Sequence, residues 1–389
     1  MASVRPFRGV RYGGARLDRA VCPPYDVIAP RLAAELRRLP RNAIHLELPS
    51  GDGGRYRRAA RLWRRWLGRR VLVRDDSPSF YVVEQSFAWG GRRRARTGLL
   101  ASLDLRRSGP RWVRRHEKTL AKPKEDRLRL LSALKANTSP VFMLFSDAGG
   151  TVRAVLRPIR TVPPAASGVS PDGSRFKLWH VRDPALLRRL ERAFSAKALL
   201  IADGHHRFEV ARAYFRRHPA APASGLLVYL CAEEDPGLLV LPTHRVIAPG
   251  AGVRRRALDA CRLTPKRNLS ALLKALAAHR SPYAFGVFQP VSGFRLAVPR
   301  SAAGARSGLS VEWLAKNVTA GVDPQDISYT HDAGEAVRLA RERRGAALLV
   351  KPASVARIRK AVERVGLLPQ KSTYFYPKVA TGLVFKALC

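Results

Sequence analysis

The chain has 389 residues, of which 46% are hydrophobic, so it can bury one large core or two medium ones. Lysine and arginine (72) outnumber aspartate and glutamate (29), which gives a formal net charge of +43. The apolar runs, such as 141–145 and 226–232, fall far short of the roughly 18 to 20 residues that span a bilayer, so we expect no membrane-spanning segment.

The positive charge has two interpretations. A surface this basic attracts polyanions, and nucleic acid is the obvious class of partner. The excess is mostly arginine and is spread through the whole chain, which fits a compositional bias better than a dedicated binding tail. Residues 1–6 lack an apolar signal core, so we expect a cytoplasmic protein. The four cysteines are scattered without a C-x-x-C pair, which argues against a zinc site or a disulfide framework.

The first part of the chain mixes extended segments with helices. Two prolines in CPPYDVI (22–28) predict a rigid extended segment, which either lines a site with Asp26 or pins the N-terminus to the core. Further along, the patterns predict a helix at 54–68, a strand hairpin at 79–87 and 97–105, a polar helix ending near 135, a strand at 141–145, a loop at 161–173 and a helix at 184–194. We interpret residues 150–196 as containing an insertion.

One acid stands out in the basic stretch 114–119. Glu117 follows His116 and is surrounded in sequence by arginine and lysine. Nearby positive charge keeps a carboxylate ionised, as a general base or a metal-facing group requires.

The most informative segment is 199–215. A buried strand at 199–202 runs into the sequence DGHHR, which is followed by a helical pattern of apolar residues. The polar residues at this junction are Asp203, Gly204, His205, His206 and Arg207. The first turn of a helix has unpaired N–H groups and the positive end of the dipole, so this junction predicts a phosphate or carboxylate site. The alternative is a simple cap, with Asp203 closing the helix and the histidines solvated.

The pattern changes near residue 250. Before it, 225–232 and 237–246 predict a hairpin; after it, helices alternate with strands, which predicts a smaller α/β domain. The helices are expected at 269–278, 311–316, 333–343 and 353–365, and the strands at 284–288, 294–298 and 346–350. Near the end, the basic and hydroxyl-rich segment 371–378 either reaches anionic groups or forms an ordinary turn.

Several motifs together resemble domain-of-unknown-function family 1015. They are CPPYDVI (22–28), RRHEKTLAKPKEDRL (114–128), KANTSPVFMLF (135–145), ADGHHRFE (202–209) and DPGLLVLPTHRVI (235–247). The resemblance covers nearly the whole chain. The family has no securely assigned activity, so membership alone does not define a function.

The chain is also distantly similar to the free serine kinases of the ParB/sulfiredoxin superfamily. The matching elements, in the same order, are His116-Glu117, the DGHHR turn and Lys371-Ser372-Thr373. The resemblance implies an α+β fold, with a ParB/sulfiredoxin-like nucleotide-binding core at 1–249 and a smaller α/β domain at 250–389 closing the site.

The same resemblance implies roles for individual residues. Glu117, with His116 beside it, would be the catalytic base; Asp203 would act with them as a possible Mg²⁺ ligand. Gly204, His205, His206 and Arg207 would bind phosphate, joined by Lys371, Ser372 and Thr373. Sulfiredoxins carry their catalytic cysteine where this chain has His205, so sulfinic acid reduction is not expected.

The function expected on this basis is phosphoryl transfer from ATP or ADP, with Mg²⁺, to the hydroxyl of a small, serine-like metabolite. The alternative is a ParB-like protein that binds nucleic acid in a nucleotide-dependent way, although the sequence contains no evident helix-turn-helix. A third possibility is a scaffold without catalytic activity that keeps the superfamily fold.

Overall fold

The computed structural model describes residues 2–109, 111–119, 121–218, 225–250, 258–302 and 305–388. Cys389 and residues 251–253 of the expected domain boundary lie outside these ranges. The strands are β1 Val4–Arg5, β2 Val10–Tyr12, β3 Leu72–Arg74, β4 Phe80–Trp89, β5 Arg92–Asp104, β6 Val113–Arg114, β7 Ala136–Asn137, β8 Val141–Phe145, β9 Ala166–Val169, β10 Arg175–Val181, β11 Leu199–Asp203, β12 Gly225–Ala232, β13 Leu239–Leu241, β14 His244–Ile247, β15 Cys261–Lys266, β16 Phe285–Gln289, β17 Gly293–Pro299, β18 Ile327–Thr330, β19 Ala346–Leu349, β20 Tyr374–Tyr376 and β21 Lys386–Ala387.

The helices within the described ranges are α1 Pro30–Arg37, α2 Ile44–Glu47, α3 Arg55–Gly68, α4 Ala121–Leu134, α5 Thr151–Leu156, α6 Pro184–Ser195, α7 His205–Arg217, α8 Leu269–Ala278, α9 Ser310–Asn317, α10 Ala333–Glu342 and α11 Val355–Val365. Short 3-10 turns occur at Tyr25–Val27, Pro158–Thr161 and Pro324–Asp326. None of these helices is long and apolar enough to cross a membrane.

The chain forms two compact units. The first comprises Met1–Arg115, Thr119–Leu238 and Pro377–Cys389, and the second comprises His116–Lys118 and Leu239–Tyr376. The main passage between them thus falls at Leu238, earlier than the boundary expected between 249 and 250. The reason is that β14 pairs with β18 and β19, which lie in the second unit.

The first unit is built on a large mixed sheet. Its strand order is β6-β11-β8-β12-β5-β4-β10-β9, and β1 pairs along β5. The β6–β11 and β8–β12 pairs are parallel, whereas β8–β11 and β5–β12 are antiparallel. All five residues of β8 are buried, which explains why this central strand is a continuous apolar run. Helices α4, α6 and α7 contribute Leu131, Phe194 and Phe208 to the core of this sheet.

Two local predictions for this part of the chain are wrong. The segment predicted as a loop at 161–173 contains β9, which pairs with β10. The hairpin predicted from 225–232 and 237–246 does not form: β12 pairs with β5 and β8, while β13 pairs with β20. Hairpin patterns identify strands, but the partner of a strand is chosen by long-range packing, which a local pattern does not contain.

The second unit has a smaller sheet of order β15-β17-β16-β19-β14-β18. Helices and strands alternate as predicted, and all these pairings are antiparallel, so this unit is an antiparallel sheet with helices. Its core packs α8 and α10 against the sheet through Leu272, Leu276 and Ala340. The chain as a whole is therefore α+β, as predicted.

Candidate functional site

The junction of β11 and α7 forms as the sequence predicts. The β8–β11 register shifts between Ile201 and Asp203, so the strand bulges just before the turn. Gly204 is the N-cap of α7, with φ of 91°. A Cβ at this position would lie 3.0 Å from the guanidinium Nε of Arg207, so both the backbone angle and the close approach require glycine. His205 then begins the helix and is buried, while His206 is half-buried.

Asp203 lies between two cations of the first unit. Its Oδ2 accepts a hydrogen bond from Nη2 of Arg207 at 2.6 Å, and its Oδ1 accepts one from Nζ of Lys378. The side chains of Asp203 and Lys378 are only 13% and 11% exposed, which shields both ion pairs from solvent. Lys378, which is 175 positions away in sequence, was not assigned to the site individually, but it ends the basic segment 371–378 that was predicted either to reach anionic groups or to form a turn.

Arg207 is the central cation of this junction. Its side chain is 9% exposed, and Nη1 donates to the carbonyl of Pro140, but Nε is buried without a partner among the described residues. Burial opposes the positive charge, but Asp203, Asp26 and Glu47 outweigh it, so the pKa of Arg207 is raised above its ordinary value. A buried N–H without a partner at a helix N-terminus favours an anionic acceptor.

A second buried carboxylate organises the residues behind Arg207. Glu47, which has no exposed surface, accepts hydrogen bonds from the backbone N–H of Tyr25 (3.2 Å), the hydroxyl of Thr138 (2.5 Å) and the hydroxyl of Ser139 (2.9 Å). The guanidinium of Arg127 donates to the Glu47 carbonyl at 2.6 Å and lies 4.2 Å from the centroid of the Tyr25 ring. We call these five residues the Glu47 cluster.

The Glu47 cluster gives CPPYDVI a structural role. Tyr25 is fixed from two sides, by Glu47 and by Arg127, and burial raises its pKa well above the ordinary value. The next residue, Asp26, is exposed and acts electrostatically on Arg207. The contacts of Tyr25 therefore support the interpretation in which the segment is pinned to the core, and a site lined by Asp26 stays a prediction.

Glu209 connects α7 to the residues on either side of the His116-Glu117 segment. Its carboxylate accepts hydrogen bonds from Arg115, from the hydroxyl of Thr119 at 2.6 Å and from Lys124 at 3.2 Å. Burial alone would raise the pKa of Glu209, but the bonds from Thr119 and Lys124 and the charge of Arg115 lower it. Glu209 is thus an ionised anchor.

In the second unit, His116 and Glu117 lie in a short extended segment. Glu117 forms a parallel β-bridge with Leu368, whose N–H donates to the carbonyl of His116 at 2.8 Å. The His116 ring has no exposed surface, and its Nε2 lies 2.9 Å from the hydroxyl oxygen of Thr373. Glu117 is half-buried, so its carboxylate is neither sequestered nor fully solvated.

The Lys371-Ser372-Thr373 element lies in the same unit. The Ser372 hydroxyl donates to the carbonyl of Pro369 at 2.6 Å, so it closes its own turn, and Thr373 contacts His116. Lys371 is exposed and has an unusual positive φ of 53°. Its carbonyl accepts a hydrogen bond from Nη2 of Arg245 at 3.2 Å.

Arg245 is a second residue that the sequence interpretation missed. It is 5% exposed, and burial lowers its pKa to about 10, although Tyr329 and Glu117 counteract this effect. The nearby hydroxyl of Thr243 is buried without a partner among the described residues. The sequence feature that could have identified Arg245 and Thr243 is the Thr-His-Arg segment at 243–245, which lies within the motif at 235–247.

The predicted site residues thus form two groups. Asp203 to Arg207 come together in the first unit, and His116, Glu117, Lys371, Ser372 and Thr373 come together in the second. Within the described residues there is no group of three or more His, Cys, Asp or Glu side chains that could hold a metal ion. Both carboxylate oxygens of Asp203 already contact cations, so its geometry does not fit the predicted role of Mg²⁺ ligand.

A family model described as "Protein of unknown function (DUF1015)" matches residues 4–291. This match confirms the family that the motifs predicted. No curated protein sequence matches the chain.

Solved structures give weaker likenesses. A free serine kinase variant in complex with ADP is 12% identical, with 74% of this chain and 92% of that chain covered and a TM-score of 0.42. A conserved hypothetical protein from Pyrococcus furiosus is also 12% identical, with 74% and 95% covered and a TM-score of 0.38. C-terminally truncated SbnI from Staphylococcus aureus is 10% identical, with 72% and 85% covered and a TM-score of 0.41.

Proposed function

The chain belongs to the DUF1015 family, and for this member we propose a phosphotransferase that moves a phosphoryl group from ATP or ADP to the hydroxyl of a small, serine-like metabolite. The proposal includes a ParB/sulfiredoxin-like core for the first unit, which rests on the order of the His-Glu, DGHHR and Lys-Ser-Thr elements along the chain.

The observation that carries the proposal is the geometry at the start of α7, which we interpret as an anion site. The positive end of the helix, the glycine at its N-cap and the Nε of Arg207, which has no partner among the described residues, all favour a phosphate group. Lys378 adds a further cation within the same unit. Such preorganised positive charge is what a phosphoryl group requires as negative charge redistributes over its oxygens.

The chemistry needs one proton acceptor. The acceptor hydroxyl attacks the terminal phosphorus of the nucleotide, a new P–O bond forms, and the bond to the leaving phosphate breaks. Glu117 takes the hydroxyl proton, and ADP leaves when ATP is the donor, or AMP when ADP is the donor. The bridge to Leu368 fixes the backbone of Glu117, and the contact with Thr373 fixes the His116 ring beside it.

The remaining predicted residues have supporting roles in this proposal. Gly204, His205 and His206 offer backbone and ring N–H groups at the phosphate site, and Lys371, which is exposed, contacts phosphate or substrate. Asp203 orients Arg207 and Lys378 rather than binding metal. Mg²⁺ enters as part of the nucleotide complex, and we assign it no step, since the described residues offer no dedicated metal site.

The test is phosphorus NMR of the purified protein with Mg²⁺, ATP or ADP, and a pool of hydroxyl-bearing amino acids and metabolites. A new phosphomonoester signal is expected. The Glu117→Gln variant should lower its rate of formation by roughly 10²- to 10⁴-fold, the usual worth of a general base, and leave nucleotide binding nearly unchanged. Glu125→Gln is the matched control, because Glu125 lies in the same motif, is exposed and, among the described residues, forms its ion pair with Arg129.

Three outcomes decide the proposal. A signal that vanishes in Glu117→Gln and persists in Glu125→Gln supports a kinase and identifies its acceptor. Equal rates in both variants remove Glu117 from the mechanism. No signal with either donor, despite saturable nucleotide binding, rejects phosphoryl transfer and favours a nucleotide-binding protein without catalysis.

A further inference from the structure

A basic groove lies between α4 and α7 in the first unit. It has a volume of about 700 Å³. Its charged lining residues are Lys124, Glu125, Arg129, Glu209, Arg212, Arg216 and Arg217, and its apolar floor is formed by Leu128, Val210 and Ala213. We call this feature the α4–α7 groove. It runs from the second turn of α7 to the end of that helix, so it is separate from the anion site at the N-terminus of α7.

The two acids of the groove are neutralised by their neighbours. Glu125 forms an ion pair with Arg129, and Glu209 forms one with Lys124 in addition to its bonds outside the groove. By contrast, no acid lies within ion-pair distance of Arg212, Arg216 or Arg217 in the part of the chain that the structure describes, and all three are exposed. The groove therefore presents uncompensated positive charge to solvent.

The helix dipole accounts for only part of this arrangement. Cations in the last turn of a helix complement its dipole, which explains Arg216 and Arg217. Arg212 lies in the middle of α7, however, and faces the groove together with Lys124 and Arg129 of another helix. An arginine-rich composition supplies exposed arginines in many places, and here three of them, none paired with an acid of the described residues, line one concave surface together.

We propose that the α4–α7 groove binds the phosphodiester backbone of a nucleic acid. The planar guanidinium of arginine can donate two parallel hydrogen bonds to phosphate oxygens. Four of the five cations that line the α4–α7 groove are arginines. Arg212 and Arg216 are one helical turn apart, about 6 Å along the axis, so they can contact separate phosphates of one strand. A concave surface admits a chain but not a flat bilayer. Because these contacts involve phosphates, binding is expected to be independent of base sequence.

The experiment is fluorescence anisotropy of a short, labelled DNA duplex titrated with the full chain between about 50 and 200 mM salt, without nucleotide or Mg²⁺. The groove variant is Arg212→Glu/Arg216→Glu. The matched control is Arg188→Glu/Arg192→Glu on α6, where both arginines are exposed and have the same four-residue spacing. Both variants carry the same charge change, so only the location differs.

If the groove is the binding site, log K falls with log salt by about 0.9 per phosphate contact, and the groove variant reduces this slope by about 1.8. Its affinity at the lower salt concentration should fall at least tenfold, and Arg212→Gln/Arg216→Gln should show a smaller loss in the same direction. The control should keep the parent slope.

Equal losses of slope and affinity in the groove and control variants would overturn the proposal, because binding would then follow net charge alone. Failure of the parent protein to bind duplex at the lower salt concentration would also overturn it. Circular dichroism should show that all variants remain folded, as expected for substitutions of exposed side chains. The assay contains no phosphoryl donor, so its outcome does not depend on the proposed phosphotransferase activity.

Discussion

Replacing Glu47 with glutamine tests whether a buried charge holds the first unit together around Arg207. Glu47 Oε1 accepts from the N–H of Tyr25 and the hydroxyl of Ser139, while Oε2 accepts from Thr138. In Glu47→Gln, the amide oxygen can keep the first two bonds, and the Thr138 hydroxyl can rotate to accept from the amide nitrogen. The variant therefore keeps the shape and the number of bonds but loses the charge.

The expected cost follows from the kinds of bond that change. A hydrogen bond to a charged group stabilises by about 1.5–3 kcal/mol, and a neutral one by about 0.5–1.5 kcal/mol, so each of the three bonds loses about 1 kcal/mol. Arg207 also loses one of the negative charges that offset its burial. We expect Glu47→Gln to lower the free energy of unfolding by about 3 kcal/mol. Glu47→Ala should cost more, because it also removes all three bonds and leaves a cavity.

The assay is urea unfolding followed by tryptophan fluorescence, since five of the six tryptophans belong to the first unit. Glu35→Gln is the control. Glu35 is 55% exposed and pairs with Arg31 on the surface of α1, so its loss should stay within about 0.5 kcal/mol. A Glu47→Gln protein as stable as the control would refute the reasoning, because the charge of Glu47 would then contribute nothing.

Three further predictions follow. Gly204→Ala should destabilise the chain by more than Gly173→Ala, because both positions have positive φ but only Gly204 faces a buried guanidinium. The difference between the urea midpoints of the two variants measures the steric cost of placing a Cβ against Arg207. Burial lowers the pKa of His244 to about 4, so the contribution of His244 to the unfolding free energy should be constant above pH 6.5 and fall by up to about 3 kcal/mol as the pH drops to 4, because only the unfolded chain takes up the proton. Burial also lowers the pKa of His180 to about 4, so His244→Asn should remove only the part of the fall that comes from His244, and a profile identical to that of the parent protein would contradict the assignment. Glu209→Gln should speed amide hydrogen exchange in 115–119, and unchanged exchange there would mean that Glu209 is not an anchor.

The elements were largely predictable because their signals are local. The α8 helix was predicted with its observed bounds, as was β8, since the periodicity and length of an apolar run lie within a single window of sequence. The DGHHR turn was predictable for the same reason: strand, glycine and helix are consecutive. The pairing of β12 was not predictable from a local pattern. Its partner β5 precedes it by more than a hundred residues, and the strand that follows β12 in sequence does not pair with it.

The site was predictable only in part, and the missing residues have a common property. Lys378 contacts Asp203 across 175 positions, and Glu47 contacts Thr138 across 91. A lysine before an apolar segment and a glutamate in a half-apolar helix are ordinary residues in their own stretches of sequence. Their importance arises from burial, which makes an unpaired charge costly and so requires a specific partner that only the folded chain supplies.

Four of the five family motifs meet in the first unit for this reason. Tyr25, Arg127, Ser139 and Arg207 come from different motifs, and each is linked to the carboxylate or backbone of Glu47 or acts beside it. A motif therefore mixes residues that face a ligand with residues that hold the others in place. Sequence alone cannot separate the two classes, whereas the hydrogen bonds of the folded chain can. Arg207, whose buried Nε has no hydrogen-bond partner among the described residues, is the residue that we assign to the ligand, while Ser139 and Arg127 have their donors engaged by the protein. Substitution of the former should change nucleotide binding, and substitution of the latter should change stability.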